Sequence, residues 1–167
     1  NGLTLARHIL IGSNPKNVTR YLPGCGLTVG EELLRPTRIY VDEVKAVLRS
    51  GITVKGLAHI SGDGLLNLTR LNSDVSYRID SLLPIPPIFQ TIQSEGDVDP
   101  AEMFRVFNMG IGFCVVVEEK DAESTINTIR SVGGDAQAIG SVISGTERTV
   151  GIEQYHLVGH DGYFRSI

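Results

Sequence analysis

The sequence predicts an α/β or α+β domain in which helices pack on a mixed sheet. Segments with the apolar patterns of strands alternate along the chain with segments of helical spacing. The clearest helix start is Asp99-Pro100-Ala-Glu102, with Asp at the cap, Pro at the first helical position and Glu at the third. The most apolar strand, 113–117, has a composition that suits the middle of a sheet.

The length of 167 residues indicates a single domain over 1–167, which can bury roughly 70% of the surface that its unfolded chain exposes. A net charge of −4 and the absence of tryptophan argue against binding to nucleic acid. No apolar run approaches the ~20 residues that span a bilayer. Cys25 and Cys114 lie too far apart for a zinc or redox motif. We therefore expect a cytoplasmic protein with no nucleic-acid or membrane partner.

The first forty residues predict two helices separated by an irregular segment. Apolar spacing over 3–10 indicates a helix, for which Asn1 is a plausible cap. Residues 12–30 are rich in glycine and have few periodic apolar residues, so we expect a long, mobile loop. A short helix at 31–34 should end before Pro36.

The central stretch is the best candidate for chemistry. Residues 54–60 predict a buried strand, Gly62-Asp63-Gly64 a turn, and the leucines of 65–71 a helix. This order leaves unpaired backbone N–H groups at the helix start, where a phosphate can bind, although a tight turn explains the glycines equally well. His59 either faces a ligand or is a core histidine. Asp63 can cap the helix by accepting a hydrogen bond from one of the free N–H groups.

The remaining elements follow the same patterns. We expect helices at 41–48, from Ile88 and at 121–132, and strands at 75–79 and 136–142. Two short strands, near 149–152 and 155–158, should precede a frayed end. Residues 143–167 are therefore predicted to form a peripheral tail.

Four segments resemble, in order and spacing, the C-terminal domain of phosphoribosylformylglycinamidine cyclo-ligase, also called aminoimidazole ribonucleotide synthetase. They are Arg35-Pro-Thr-Arg-Ile-Tyr40-Val41, Gly56-Leu-Ala-His-Ile-Ser61, Pro86-Pro-Ile-Phe89 and Phe107-Asn-Met-Gly-Ile-Gly112. The flanking elements extend the match from Asn1 to about Val142.

The resemblance implies ATP-dependent ring closure. In this family, ATP phosphorylates the formamide oxygen of formylglycinamidine ribonucleotide, and an amidine nitrogen then attacks the activated carbon. Aminoimidazole ribonucleotide, ADP and phosphate are formed, with magnesium and potassium as ions. Such chemistry demands positioning and neutralisation of phosphoryl charge more than covalent work by side chains.

The resemblance also implies a two-domain enzyme from which this chain is a fragment that starts at its second domain. The absent N-terminal domain of the same polypeptide would bind ATP and most of the metal, so we expect no metal ligands here and no activity from the chain alone. The full-length protein is expected to be a homodimer.

Site residues follow from the resemblance by position. His59 is the catalytic candidate, and the candidates for binding the nucleotide substrate or its phosphate are Asn1, Gly2, Ser61, Gly62, Asp63 and Gly64. The family usually has glycine where Asp63 stands, and a carboxylate there would repel phosphate unless magnesium lay between them. Arg35 and Arg38 are further phosphate candidates, although each could instead pair with Glu31, Glu32 or Asp42.

Two alternative functions remain open. The first is another ATP-using relative with the same two-domain plan, such as formylglycinamide ribonucleotide amidotransferase, selenophosphate synthetase, thiamine-phosphate kinase or a hydrogenase-maturation protein. The second is a non-catalytic binding module that keeps the fold.

Overall fold

Nine strands and six α-helices form the regular part of residues 1–71, 74–145 and 147–167, which the structure, a computed structural model, describes. The strands are β1 Tyr21–Leu22, β2 Leu27–Thr28, β3 Gly56–His59, β4 Val75–Ile79, β5 Phe113–Val116, β6 Gly140–Ser144, β7 Val150–Ile152, β8 Leu157–His160 and β9 Tyr163–Ser166. The α-helices are α1 Leu3–Leu10, α2 Val29–Leu33, α3 Val41–Arg49, α4 Pro87–Gly96, α5 Pro100–Val106 and α6 Ala122–Ser131. Short 3₁₀ helices occupy Pro15–Thr19, Gly64–Arg70, Glu119–Asp121 and Glu153–Tyr155. None of the described helices has the length and apolarity needed to cross a membrane.

Five strands form one mixed sheet in the order β6-β4-β7-β8-β9. Strands β4 and β7 run parallel, and the other neighbours are antiparallel. Helix α5 packs against β9, and the 3₁₀ helix Gly64–Arg70 packs against β7 and β8. Helices packed on a mixed sheet confirm the predicted class, and Asp99 begins α5 as expected by accepting a hydrogen bond from the backbone N–H of Ala101.

The end of the chain belongs to the core, so the prediction of a peripheral tail at 143–167 is wrong. Strands β7, β8 and β9 fill three of the five places in the large sheet. The side chains of Val150, Ile152, Leu157 and Phe164 are buried there. The two short strands expected near 149–152 and 155–158 are present as β7 and β8. Their place in the large sheet was not foreseen, because strands of three or four residues are too short to show which face is buried. The frayed end that was expected after them contains β9.

Strands β3 and β5 form a separate antiparallel pair in which Ala58 lies opposite Cys114 and His59 opposite Phe113. The expected position of β5 in the middle of a sheet is therefore wrong, because β5 pairs only with β3 among the described residues. Cys114 is buried, whereas Phe113, Val115 and Val116 are only half-buried. This pair carries the candidate site at one end.

Residues 12–30 are not the long irregular loop that their composition suggests. They contain a 3₁₀ helix, the β1–β2 hairpin and the start of α2. Leu22 and Val29 are buried, and the Val29 N–H donates to the carbonyl oxygen of Arg20 at 2.9 Å. Thr28 and Glu31 form a reciprocal capping box at the start of α2.

Candidate functional site

The turn after β3 is built by close packing against α5. The backbone φ of Gly64 is +54°, and a Cβ there would lie 2.0 Å from the carbonyl oxygen of Phe104 and 2.8 Å from that of Phe107. Gly62 differs, because no atom beyond its own residue and its two chain neighbours lies within 4 Å of the position that its Cβ would occupy. Glycine at position 64 is therefore required by packing, whereas position 62 has space for a side chain.

Asn67 holds this turn from inside. Its buried side-chain amide donates to the carbonyl oxygens of Gly62 at 2.8 Å and Gly64 at 2.7 Å. The N–H of Gly64 is also used internally, since it donates to the carbonyl oxygen of Ser61 at 3.0 Å. At least one of the backbone N–H groups that were expected to be free therefore has a partner within the turn. The element that follows is a 3₁₀ helix rather than an α-helix.

Asp63 does not cap the element that follows it. A capping side chain normally needs extended backbone, and Asp63 has a left-handed φ of 71° with no hydrogen bond from its side chain to the first turn. Its carboxylate instead accepts a hydrogen bond from the guanidinium of Arg70. The side chains of Arg70 and Asp63 are 63% and 42% exposed, so this is a surface ion pair.

His59 is exposed at the end of β3, which excludes the core-histidine interpretation. Its ring stacks on Phe113 with centroids 6.2 Å apart, and the Tyr40 ring lies 6.0 Å away. The centroids of Tyr40 and Phe113 are 5.6 Å apart. Three rings therefore form a cluster on the side of the β3–β5 pair that faces solvent.

Two cavities meet at His59 and Ser61. The first, the arginine cavity, has a volume of about 290 Å³, and its other lining residues are Leu57, Ala58, Asn67, Arg70 and Leu71. The second, the tyrosine cavity, has a volume of about 240 Å³, and its other lining residues are Asn1, Thr37, Arg38, Tyr40, Ile60, Asn108 and Gly112. The structure thus brings together three of the residues expected from sequence, His59, Ser61 and Asn1. The remaining expected residues, Gly2, Gly62, Asp63 and Gly64, line neither cavity.

Asn1 ties the start of the chain to the site instead of capping α1. Its side-chain amide donates to the carbonyl oxygens of Ser61 at 2.9 Å and Val106 at 2.7 Å. The cap position of α1 is held by Gly2, which has a φ of +75°. A Cβ on Gly2 would lie 2.2 Å from the ring of Phe107, so this position too is fixed by packing.

The two arginines proposed as phosphate ligands both make ion pairs. Arg35 lies 3.3 Å from the Glu32 carboxylate, as the salt-bridge alternative anticipated. Arg38 lies 2.7 Å from Glu43 and also donates to the carbonyl oxygen of Gly133 at 3.4 Å. The hydrogen bonds that Glu43 accepts, from its own backbone N–H and then from Arg38, lower the pKa of its carboxyl. Of Arg35 and Arg38, only Arg38 lines one of the two cavities.

Sequence reasoning missed five polar residues that line the cavities, which are Thr37, Tyr40, Asn67, Arg70 and Asn108. Tyr40 and Asn108 lie in segments that carried the resemblance, so their position in those segments was an available signal. Asn67 and Arg70 are three residues apart after the turn, and this spacing places them on one face of the 3₁₀ helix.

A family model described as "AIR synthase related protein, C-terminal domain" matches residues 1–153. The chain belongs to this family. Relatives named phosphoribosylformylglycinamidine cyclo-ligase occur in Methanococcus maripaludis and Methanocaldococcus jannaschii, each 48% identical over 88% of this chain. A relative of the same name from Methanopyrus kandleri is 44% identical over 96% of this chain. The chain spans 42% to 44% of the lengths of these relatives.

Solved structures of other proteins share the fold of this chain. The chain matches Escherichia coli HypE, a hydrogenase maturation protein, with a TM-score of 0.56 and 19% identity over 81% of this chain and 40% of that one. It matches a chain of the HypE–HypF complex with a TM-score of 0.56 and 23% identity over 86% of this chain and 48% of that one. Likeness at these identities concerns the fold alone.

Proposed function

We propose that this chain is the C-terminal domain of an ATP-dependent cyclo-ligase. The whole enzyme would convert formylglycinamidine ribonucleotide into aminoimidazole ribonucleotide, ADP and phosphate in purine biosynthesis. The observation that carries this proposal is the identity of 44% to 48% with cyclo-ligases over 88% to 96% of the chain. The two adjoining cavities supply a place for one elongated polar substrate.

The arginine cavity is the proposed site for the substrate's phosphate. Arg70 stands at its rim and is held by Asp63 in an exposed ion pair, and such pairs contribute at most about 1 kcal/mol. A phosphate carries more charge than one carboxylate and can bind a guanidinium in bidentate fashion. It can therefore replace Asp63 as the partner of Arg70.

His59 and Ser61 line both cavities, so we assign them to the reacting end of the substrate. The rings of Phe113 and Tyr40 fix the orientation of the His59 imidazole. In this arrangement His59 contacts the formamide group that ATP activates, and Ser61 supplies a hydroxyl hydrogen bond beside it. Both roles are positioning and charge stabilisation, which is what this reaction requires.

Within the described residues, no three His, Cys, Asp or Glu side chains lie together in a way that could hold a metal ion. Asp63, at the turn, is already paired with Arg70. We therefore propose that ATP, Mg²⁺ and K⁺ are bound mainly by an N-terminal domain of the same polypeptide. The complete protein would be a cytoplasmic homodimer.

A gene deletion tests this function. A strain without the gene should accumulate formylglycinamidine ribonucleotide and require purine, and the complete gene should reverse both effects. The gene carrying Arg70→Gln should complement poorly, whereas Arg35→Gln, the matched control, should complement fully because Arg35 lines neither cavity. A deletion strain that accumulates no such intermediate would contradict the proposal. It would favour another ATP-using relative or a non-catalytic module.

A further inference from the structure

Tyr40 and Gly112 form a fitted pair in the wall of the tyrosine cavity. A Cβ at position 112 would lie 1.6 Å from the Tyr40 hydroxyl oxygen and 2.4 Å from Cζ of its ring. The backbone of Gly112 does not have the left-handed φ that itself favours glycine. The need for glycine at position 112 therefore comes from the side chain of Tyr40, whose hydroxyl occupies the space beside it.

The hydroxyl of Tyr40 is available to a ligand. It has no hydrogen-bond partner among residues 1–71, 74–145 and 147–167, and it is not sealed from solvent. Burial raises the pKa of Tyr40, and the nearby charge of Arg38 offsets this only in part. The hydroxyl therefore stays protonated and uncharged near neutral pH, so it can both donate and accept a hydrogen bond.

The surroundings of this hydroxyl favour an uncharged ligand group. Four residues that have neutral polar side chains line the cavity, namely Asn1, Thr37, Ser61 and Asn108. Arg38 also lines the tyrosine cavity, but its guanidinium forms an ion pair with the Glu43 carboxylate at 2.7 Å. The side chain of Glu43 is 13% exposed and that of Arg38 is 48% exposed, so the carboxylate end of this pair is the sheltered one.

We infer that Tyr40 is a substrate-contacting residue whose hydroxyl binds an uncharged hydrogen-bonding group of the ribonucleotide. This inference rests on the proposed function, because the ligand is its substrate. Both a ribose hydroxyl and the formamide group have the required chemistry. Gly112 is the positioning residue that leaves room for the contact.

The test is the kinetics of Tyr40→Phe in the complete enzyme with formylglycinamidine ribonucleotide and ATP. This change removes the hydroxyl and keeps the ring against His59 and Phe113. Loss of one neutral hydrogen bond should raise KM for the ribonucleotide about 3- to 10-fold. The KM for ATP and the thermal midpoint should not change. Tyr77→Phe is the matched control, since Tyr77 is buried in β4 and lines neither cavity.

The 2′-deoxyribonucleotide substrate tests whether the ligand group is the 2′-hydroxyl of the ribose. If Tyr40 binds the 2′-hydroxyl, Tyr40→Phe should cause no further rise in KM for this analogue, and otherwise the two effects should multiply. Gly112→Ala provides a second variant, because its methyl group displaces the hydroxyl and should also raise KM. If the KM of Tyr40→Phe for the ribonucleotide equals that of the wild type, the inference about Tyr40 is overturned. Turnover by the wild-type enzyme in the same assay would still support the proposed function. A wild-type enzyme without turnover would overturn both.

Discussion

The buried amide of Asn67 donates to the carbonyl oxygen of Gly62 at 2.8 Å, and the same nitrogen reaches the carbonyl oxygen of Gly64 at 2.7 Å. One side chain thus holds both ends of the turn that separates β3 from Arg70. The shape of the arginine cavity depends on this contact, because Asn67 also lines it.

Asn67→Asp should destabilise the protein by about 1–3 kcal/mol, since an isosteric carboxylate cannot donate and leaves two carbonyl oxygens without this partner. Urea unfolding monitored by circular dichroism measures the change. Asn108→Asp is a suitable control, because the recorded contact of the Asn108 side chain is as an acceptor, from the N–H of Gly110 at 3.0 Å. Equal stabilities for Asn67→Asp and the wild type would show that the turn does not need the hydrogen bonds from Asn67.

Gly64→Ala and Gly62→Ala should behave differently although the two glycines are neighbours in one turn. The methyl group at position 64 would meet the carbonyl oxygen of Phe104, and its φ is strained for alanine, so we expect a loss of about 2–5 kcal/mol. Position 62 has open space and should lose little stability. Thermal unfolding of both variants checks this. Similar midpoints for the two would contradict the packing seen against α5.

Asp63→Asn should improve the binding of the substrate phosphate. Asparagine tolerates the left-handed backbone of this position, and the change releases Arg70 from its partner. Because an exposed ion pair contributes about 0–1 kcal/mol, KM for the ribonucleotide should fall by up to about 5-fold. The magnesium concentration for half-maximal rate should stay unchanged. A clear rise in that concentration would instead assign Asp63 to the metal.

The two cysteines should differ in reactivity. Burial raises the pKa of Cys114 to about 12, so its thiol stays protonated across pH 6–9 and its reactive thiolate is scarce. Cys25 is half-buried, and burial also raises its pKa, but reagents can reach it. Iodoacetamide at pH 8 followed by peptide mass spectrometry should show slow alkylation at Cys25 and none at Cys114. Alkylation of Cys114 first would mean that the β3–β5 pair opens readily.

The sequence was informative wherever local chemistry decides the structure. Asp99 and Pro100 predicted the start of α5, and the alternation of strand and helix patterns predicted the class. It was misleading where distant contacts decide. Asp63 looked like a helix cap, but the approach of α5 to Gly64 and the reach of Arg70 determine its conformation and its partner.

The composition of the candidate site could be predicted only in part for the same reason. His59 and Ser61 were found because they lie in a segment with a recognisable pattern. Tyr40 comes from a separate segment, immediately before α3, and its contacts with His59 and Phe113 are made in the folded chain, where no local pattern encodes them. The role of Gly112 likewise depends on a side chain from a distant part of the chain.

The central claim is tested most directly by incubating the complete polypeptide with formylglycinamidine ribonucleotide, ATP, Mg²⁺ and K⁺. We expect aminoimidazole ribonucleotide and ADP to form in equal amounts. His59→Asn should lower kcat strongly without lowering the thermal midpoint, because His59 is exposed. The 167-residue chain alone should fold and give no product. Failure of the complete polypeptide to form aminoimidazole ribonucleotide, or full activity of the 167-residue chain, would contradict this account.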